Sequence, residues 1–165
     1  MVDAVRSMSE GDLEAVLAWR NHPDVRRFMH NQYEISLDEH RGWFSRCAED
    51  PTRALLIAEA ETGLLGFVQF SGVHGDGVAD WGFFAAPGSP RGTGRRLGGA
   101  ALEYGFSELG LHKICGQVLD FNTASLRMHQ ALAFREEGRL REHSPIDDTY
   151  HDLVCFGLLA REWRD

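Results

Sequence analysis

Pro90-Arg91-Gly92-Thr93-Gly94-Arg95-Arg96 runs without a break into Leu97-Gly98-Gly99-Ala100-Ala101-Leu102-Glu103-Tyr104. Ala79 to Phe84, just before it, reads as a strand, and a regular helical pattern follows. Strand, glycine-spaced basic loop, helix is an order that aims backbone N–H groups and a helix N-terminus at an anion, commonly a phosphate. Glycine lets the backbone come close to such a ligand. Arg91, Arg95 and Arg96 concentrate positive charge here in a chain of formal net charge −8. Cations at a helix start oppose the helix dipole, a penalty that a bound anion removes. The competing reading is a glycine-rich turn leading into a solvated basic first turn.

Outward from this loop, Lys113 to Leu119 reads as a strand. Asn122 is a good N-cap for a helix from Thr123 to about Leu132. Phe134 to Arg141 and Tyr150 to Leu159 read as closing strands. Upstream, Ala54 to Ala58, Leu65 to Phe70 and Val78 to Phe84 form an antiparallel series, with Glu61-Thr62-Gly63 and His74-Gly75-Asp76-Gly77 as turns. Gly98 and Gly105 on the helix after the loop allow close packing against a sheet. The N-terminal third is helical. A start at Ser9-Glu10-Gly11-Asp12 leads to an end near Asn21-His22-Pro23, followed by a short helix over Pro23 to Met29. The capping box Ser36-Leu37-Asp38-Glu39 then opens a helix with His40, Trp43, Phe44 and Cys47 on one face. The fold class is α/β, helices layered on a twisted mixed sheet.

At 165 residues the chain fits one domain, 1–165, large enough for a real core. The acidic balance argues against a nucleic-acid partner. No stretch reaches the length of a membrane span, and Met1 to Arg6 lacks an apolar signal core. Cys47, Cys115 and Cys155 are odd in number and far apart, which fits reduced thiols of a cytoplasmic protein. The eight histidines show no metal-ligand cluster, so no metal is expected.

The loop Arg91 to Arg96, followed some thirty residues on by Asn122-Thr123-Ala124-Ser125-Leu126-Arg127-Met128-His129 and the aromatic Phe134, resembles GNAT-type acyltransferases. The resemblance covers nearly the whole chain and implies the GNAT fold, a mostly antiparallel sheet of about seven strands, with acetyl-CoA as donor. It places the pyrophosphate on Arg91, Gly92, Thr93, Gly94, Arg95 and Arg96. Pantetheine falls between two splayed strands, against Phe83 and Phe84 on one side and Leu119, Asn122 and Ser125 on the other. The last glycine of the family loop is Arg96 here. The tyrosine that often protonates the leaving thiolate falls at His129, which reads equally as a proton donor or as a histidine packed beside the sheet.

Trp19-Arg20-Asn21-His22-Pro23 and Glu39-His40 with Trp43-Phe44 resemble a narrower set, the UDP-4-amino-sugar N-acetyltransferases of pseudaminic acid biosynthesis, which serve flagellin glycosylation. The resemblance implies a UDP-linked 4-amino-4,6-dideoxy-N-acetyl sugar as acceptor, with Arg20 and His40 beside the nucleotide. The alternative for Arg20 is a helix C-terminal residue capping the last carbonyls, and for His40 a satisfied core histidine. Trp81, Phe28 and Met29 are candidate apolar walls. Asp80 and His74 are the ionisable groups nearest the reactive strand, candidates to take the amine proton, with solvent as the alternative. Two other readings stay open: an acetyltransferase for a protein N-terminal α-amine, and a coenzyme A-binding domain without transfer. Tyr150 to Leu159 could present a free sheet edge and so support a homodimer.

Overall fold

A computed structural model describes residues 4–164; Met1 to Asp3, part of the segment read as lacking a signal core, lie outside them. β1 (Ala4–Ser7) leads through a 3-10 turn (Glu10–Asp12) into α1 (Leu13–Asn21), α2 (Pro23–Arg26) and α3 (Leu37–Ala48). β2 (Arg53–Ala60), β3 (Gly63–Ser71) and β4 (Val78–Ala85) form the meander. α4 (Thr93–Ser107) crosses over to β5 (Lys113–Leu119), and α5 (Thr123–Ala131) precedes the hairpin β6 (Arg135–Ile146) and β7 (Thr149–Leu159). α6 (Ala160–Arg164) follows.

The seven strands lie in the order β1-β2-β3-β4-β5-β7-β6. Among the described residues only β4 and β5 pair in parallel, as a strand–helix–strand crossover requires. The expected edge at Tyr150–Leu159 is therefore corrected. β7 sits between β5 and β6, pairing with both, and the edges are β1 and β6. Chain order does not give sheet order here, because the hairpin folds back and inserts its second strand.

Each element follows from local chemistry. His22 stands at φ −63°, ψ 133°, extended as its position before Pro23 demands, and separates α1 from α2. Ser36 Oγ accepts from the Glu39 amide at 3.2 Å, so half of the expected capping box forms. The Glu39 carboxylate instead accepts from the Tyr33 hydroxyl at 2.6 Å. Asn122 Oδ1 accepts from the Ser125 amide and caps α5. Gly92 adopts φ +90° at the start of α4, a left-handed conformation that side chains resist.

Two apolar clusters lie on opposite faces of the sheet. On one, Leu97, Leu102 and Phe106 of α4 pack with Phe70, Trp81, Ile114 and Phe156. Gly105 makes the contact close, since a Cβ there would stand 2.9 Å from Ile114 and 3.0 Å from Phe70. A Cβ at Gly98 would stand 2.7 Å from Leu132, 3.3 Å from Met128 and 3.6 Å from Trp81 of the sheet. On the other face, Val16 and Leu13 of α1 pack with Ile57 and Phe67, supported by Trp43 and Phe44. Cys47 is buried, while Cys115 and Cys155 are half-buried free thiols. No helix among the described residues is long and apolar enough to cross a membrane.

Candidate active site

The register between β4 and β5 sets the site. The pairing runs Val78 to Lys113, Ala79 to Ile114 and Asp80 to Cys115, and goes no further. β5 stays with β7 along its whole length, so it is β4 that parts from it. Beyond the last pair, residues 81–85 of one strand and 117–119 of the other line a cavity of about 790 Å³. Alternation along β4 divides its walls. Asp80, Gly82 and Phe84 share the parity that faces α1 and α3, where Phe84 packs with Phe67. Trp81 and Phe83 face α4 and α5. The gap thus opens the sheet from one face to the other.

Most expected site residues meet here. Arg20, His40, Asp80, Trp81, Phe83, Phe84, Leu119, Asn122, Ser125 and His129 all line the one cavity. Arg91 to Arg96 do not. They follow Pro87 and Gly88, which do line it, so the loop stands at the end of the gap. Arg91, Arg95 and Arg96 are exposed, whereas Thr93 is buried. The Thr93 amide turns back to the Pro90 carbonyl at 3.1 Å. A Cβ at Gly94 would meet nothing within 4 Å, leaving open space at a helix start whose first amides have no carbonyl within the helix to pair with. Arg96, in place of a glycine, stands at the surface and does not crowd the loop. His74 sits exposed in the β3–β4 turn and is not part of the cavity wall.

His129 is only 3% exposed, and its ring is held from both sides. The Trp81 indole N–H donates to His129 Nε2 at 3.2 Å. Nδ1 stands 2.8 Å from the Ser125 carbonyl, to which it must donate. The proton is therefore on Nδ1 and the ring is neutral. Burial pushes its pKa below the usual histidine value, partly offset by the bond to Ser125. The ring also stacks on Phe156 at 5.0 Å. In this arrangement neither nitrogen presents a hydrogen to the cavity.

His40 is similar. Nε2 lies 3.0 Å from the Leu13 carbonyl, which fixes the proton there and leaves Nδ1 as an acceptor. Burial lowers its pKa, and the ring stacks on Trp43 at 5.2 Å. Trp81 is mostly core, stacked on Phe134 at 5.1 Å and 8% exposed. Phe28 lines the cavity and stacks on Phe121.

Two residues of the cavity wall each hold an unmatched polar atom. Among the described residues, the buried side-chain polar atoms without a hydrogen-bond partner are Arg20 Nη1 and Gln69 Oε1. Arg20 Nη2 donates to the Asn31 carbonyl at 2.6 Å, which orients the guanidinium, and burial lowers its pKa. Gln69 escaped the sequence reading. Its signal was one polar residue inside the apolar run Leu65 to Phe70. Arg46, also on the cavity wall, carried no comparable signal, as a cation near a helix C-terminus is ordinary. Among the described residues, no group of three or more His, Cys, Asp or Glu is placed to hold a metal ion.

A mixed sheet parted between its two parallel strands, with a glycine-spaced basic loop at the end of the gap, is the architecture of an enzyme that takes an acyl group from a coenzyme A thioester. Residues 4–135 match the acetyltransferase (GNAT) domain, and the chain belongs to that family. Acetyl-CoA is thus its donor, and the gap with its open loop fits that molecule. The chain is 24% identical over 123 residues to the acetyltransferase PseH of Campylobacter jejuni, covering 74% of this chain and 76% of that protein. It is 27% identical over 164 residues to spermidine N(1)-acetyltransferase of Vibrio cholerae, covering 96% of this chain and 94% of the other. The crystal structure of the Vibrio cholerae spermidine N-acetyltransferase with CoA and spermine superposes with a TM-score of 0.90 at 25% identity, over 98% of each chain.

Proposed function

We propose that the enzyme transfers the acetyl group of acetyl-CoA to the 4-amino group of a UDP-linked 4-amino-4,6-dideoxy-N-acetyl sugar, the altrosamine derivative of pseudaminic acid biosynthesis. One observation carries this reading: Arg20 lines the cavity, and its Nη1 is buried without a partner. A buried cationic donor left unmatched is costly, and an anionic ligand relieves the cost. A diphosphate offers oxygens to a guanidinium; a polyamine offers only more positive charge. The likeness to PseH points the same way.

The proposed roles are as follows. Arg91 to Arg96 and the start of α4 hold the phosphates of the donor. Phe83 and Phe84 present backbone groups to its arm across the gap, facing Leu119, Asn122 and Ser125. A strand amide polarises the thioester carbonyl. The amine attacks with its lone pair, a C–N bond forms, the C–S bond breaks with its electrons on sulfur, and the nitrogen proton passes to Asp80 or to solvent. His129 orients the wall through Trp81 and Ser125, and its tautomer leaves protonation of the thiolate to water.

A second reading is acetylation of a polyamine, favoured by the full-length likeness to spermidine N-acetyltransferase and by Asp24, Glu39 and Asp80 on the cavity wall. Mass spectrometry decides. The protein is incubated with acetyl-CoA and either the UDP-4-amino sugar or spermidine. Enzyme-dependent acetyl gain on the sugar nucleotide is expected; gain on spermidine alone refutes the proposal.

A further inference from the structure

Gln69 lies on β3 directly opposite Gly82 of β4. Its amide reaches over that glycine: a Cβ built there would stand 3.5 Å from Gln69 Nε2 and 3.7 Å from Cγ. Gly82 immediately precedes Phe83 and Phe84, the strand residues beside the gap. Gln69 therefore sits on the acceptor face at the level where the two substrates meet. Gln69 lines the cavity, and its Oε1 is buried and unpartnered, an unused acceptor in the wall of a site that must receive an N–H.

We infer that Gln69 positions the acceptor amine by accepting one of its N–H bonds, and that it selects a weakly basic amine that arrives uncharged. This rests on the proposed reading of the cavity as an amino-sugar site. A neutral primary amine has two hydrogens and one lone pair, so fixing one hydrogen turns the lone pair towards the acyl carbon. A neutral amide does this without stabilising the ammonium form, as a carboxylate at the same place would. A sugar amine, its basicity reduced by neighbouring oxygens, meets this requirement; an alkyl polyamine, charged at neutral pH, does not. The other ionisable groups on the cavity wall are Arg20 of α1, Asp24 of α2, Glu39, His40 and Arg46 of α3, Asp80 of β4 and His129 of α5, with His30 between α2 and α3. Of the three carboxylates, Glu39 is engaged by Tyr33, and Asp24 and Asp80 are exposed, where solvent weakens their hold on an ammonium ion.

The test compares wild type, Q69L and Q69E on the UDP-4-amino sugar and on spermidine, with UDP binding by calorimetry and acetyl-CoA KM as checks on the fold. Q69L is expected to lose about 10- to 100-fold in kcat, the scale of a misplaced reacting atom, with UDP affinity and acetyl-CoA KM unchanged. Q69E is expected to move the acidic limb of the kcat/KM profile to higher pH, because its carboxylate favours the ammonium form, and to gain on spermidine relative to the sugar. A Q69L enzyme as fast as wild type on its better acceptor overturns the amine contact and leaves the amino-sugar reading standing. Wild type preferring spermidine overturns the amino-sugar reading and the selection for a weakly basic amine together; Q69L on spermidine then judges the contact alone.

Discussion

Trp81 and His129, 48 residues apart, share a buried hydrogen bond in which the indole N–H donates to His129 Nε2 at 3.2 Å. Gly116 makes room for it. A Cβ at this position would stand 2.7 Å from His129 Nε2 and 2.8 Å from Trp81 Nε1. Both neighbours are rings locked by further stacking, so neither can yield cheaply. Gly116→Ala is expected to destabilise the fold by about 2 kcal/mol, the usual scale of overpacking, and to change tryptophan fluorescence. Thermal melting and emission spectra check both.

Stability should fall on the acid side. His129 and His40 are both held neutral, with pKa values lowered chiefly by burial. Above the unfolded value of about 6.5, neither state binds the proton and pH has no leverage. Below it the unfolded chain takes up protons that the folded chain refuses. Each group then removes up to about 1.4 kcal/mol per pH unit until its folded pKa is reached. Chemical denaturation at pH 7.5 and pH 5.5 should show the loss. His129→Gln should show a shallower one.

Arg20 sets binding against stability. Removing its unmatched buried donor should stabilise the ligand-free protein, while the contact from Nη2 to Asn31 is lost as well. Arg20→Met is expected to raise the ligand-free melting temperature or leave it unchanged, consistent with removal of a desolvated charge. The same variant should lose UDP binding at least 10-fold and keep its acetyl-CoA KM. A variant that binds UDP normally would remove the central support for the nucleotide-sugar reading.

The loop arginines should act through charge. Arg91, Arg95 and Arg96 are exposed, so their attraction for the donor phosphates is screened by salt. Arg95→Ala with Arg96→Ala is expected to raise the acetyl-CoA KM about 10-fold at low ionic strength and less at 0.5 M salt. Initial rates at two salt concentrations test this.

Local signals were the legible part. Asn122 marked the start of α5, and the expected bounds of β5 match those observed. The strand–loop–helix around Gly92 pointed to a bound phosphate, and together with the Asn122 helix it carried the resemblance that implied the fold and the donor. β1 went unread because Ala4–Ser7 is a four-residue edge strand with too little alternation to register. The place of β7 inside the sheet depends on a hairpin folding back, which no periodicity encodes. The state of His129 was hidden for a related reason. Its tautomer is set by Trp81 and Ser125 together, and only the folded chain brings both to the ring. Gln69 reads in sequence as a minor blemish in an apolar strand; Gly82 opposite gives it meaning.

The parted sheet carries a mechanical consequence. Along the β4–β5 seam, strands β1 to β4 are joined to β5, β7 and β6 by only three residue pairs, Val78–Lys113 to Asp80–Cys115. Backbone groups beyond that point face a gap where a neighbouring strand would otherwise supply their hydrogen bonds. A donor laid along the gap acts as a rivet across the weakest line of the molecule. Amide exchange in residues 81–85 and 117–119 should therefore slow on binding more than in either half-sheet, and the enzyme should be toughest when loaded and most fragile between turnovers.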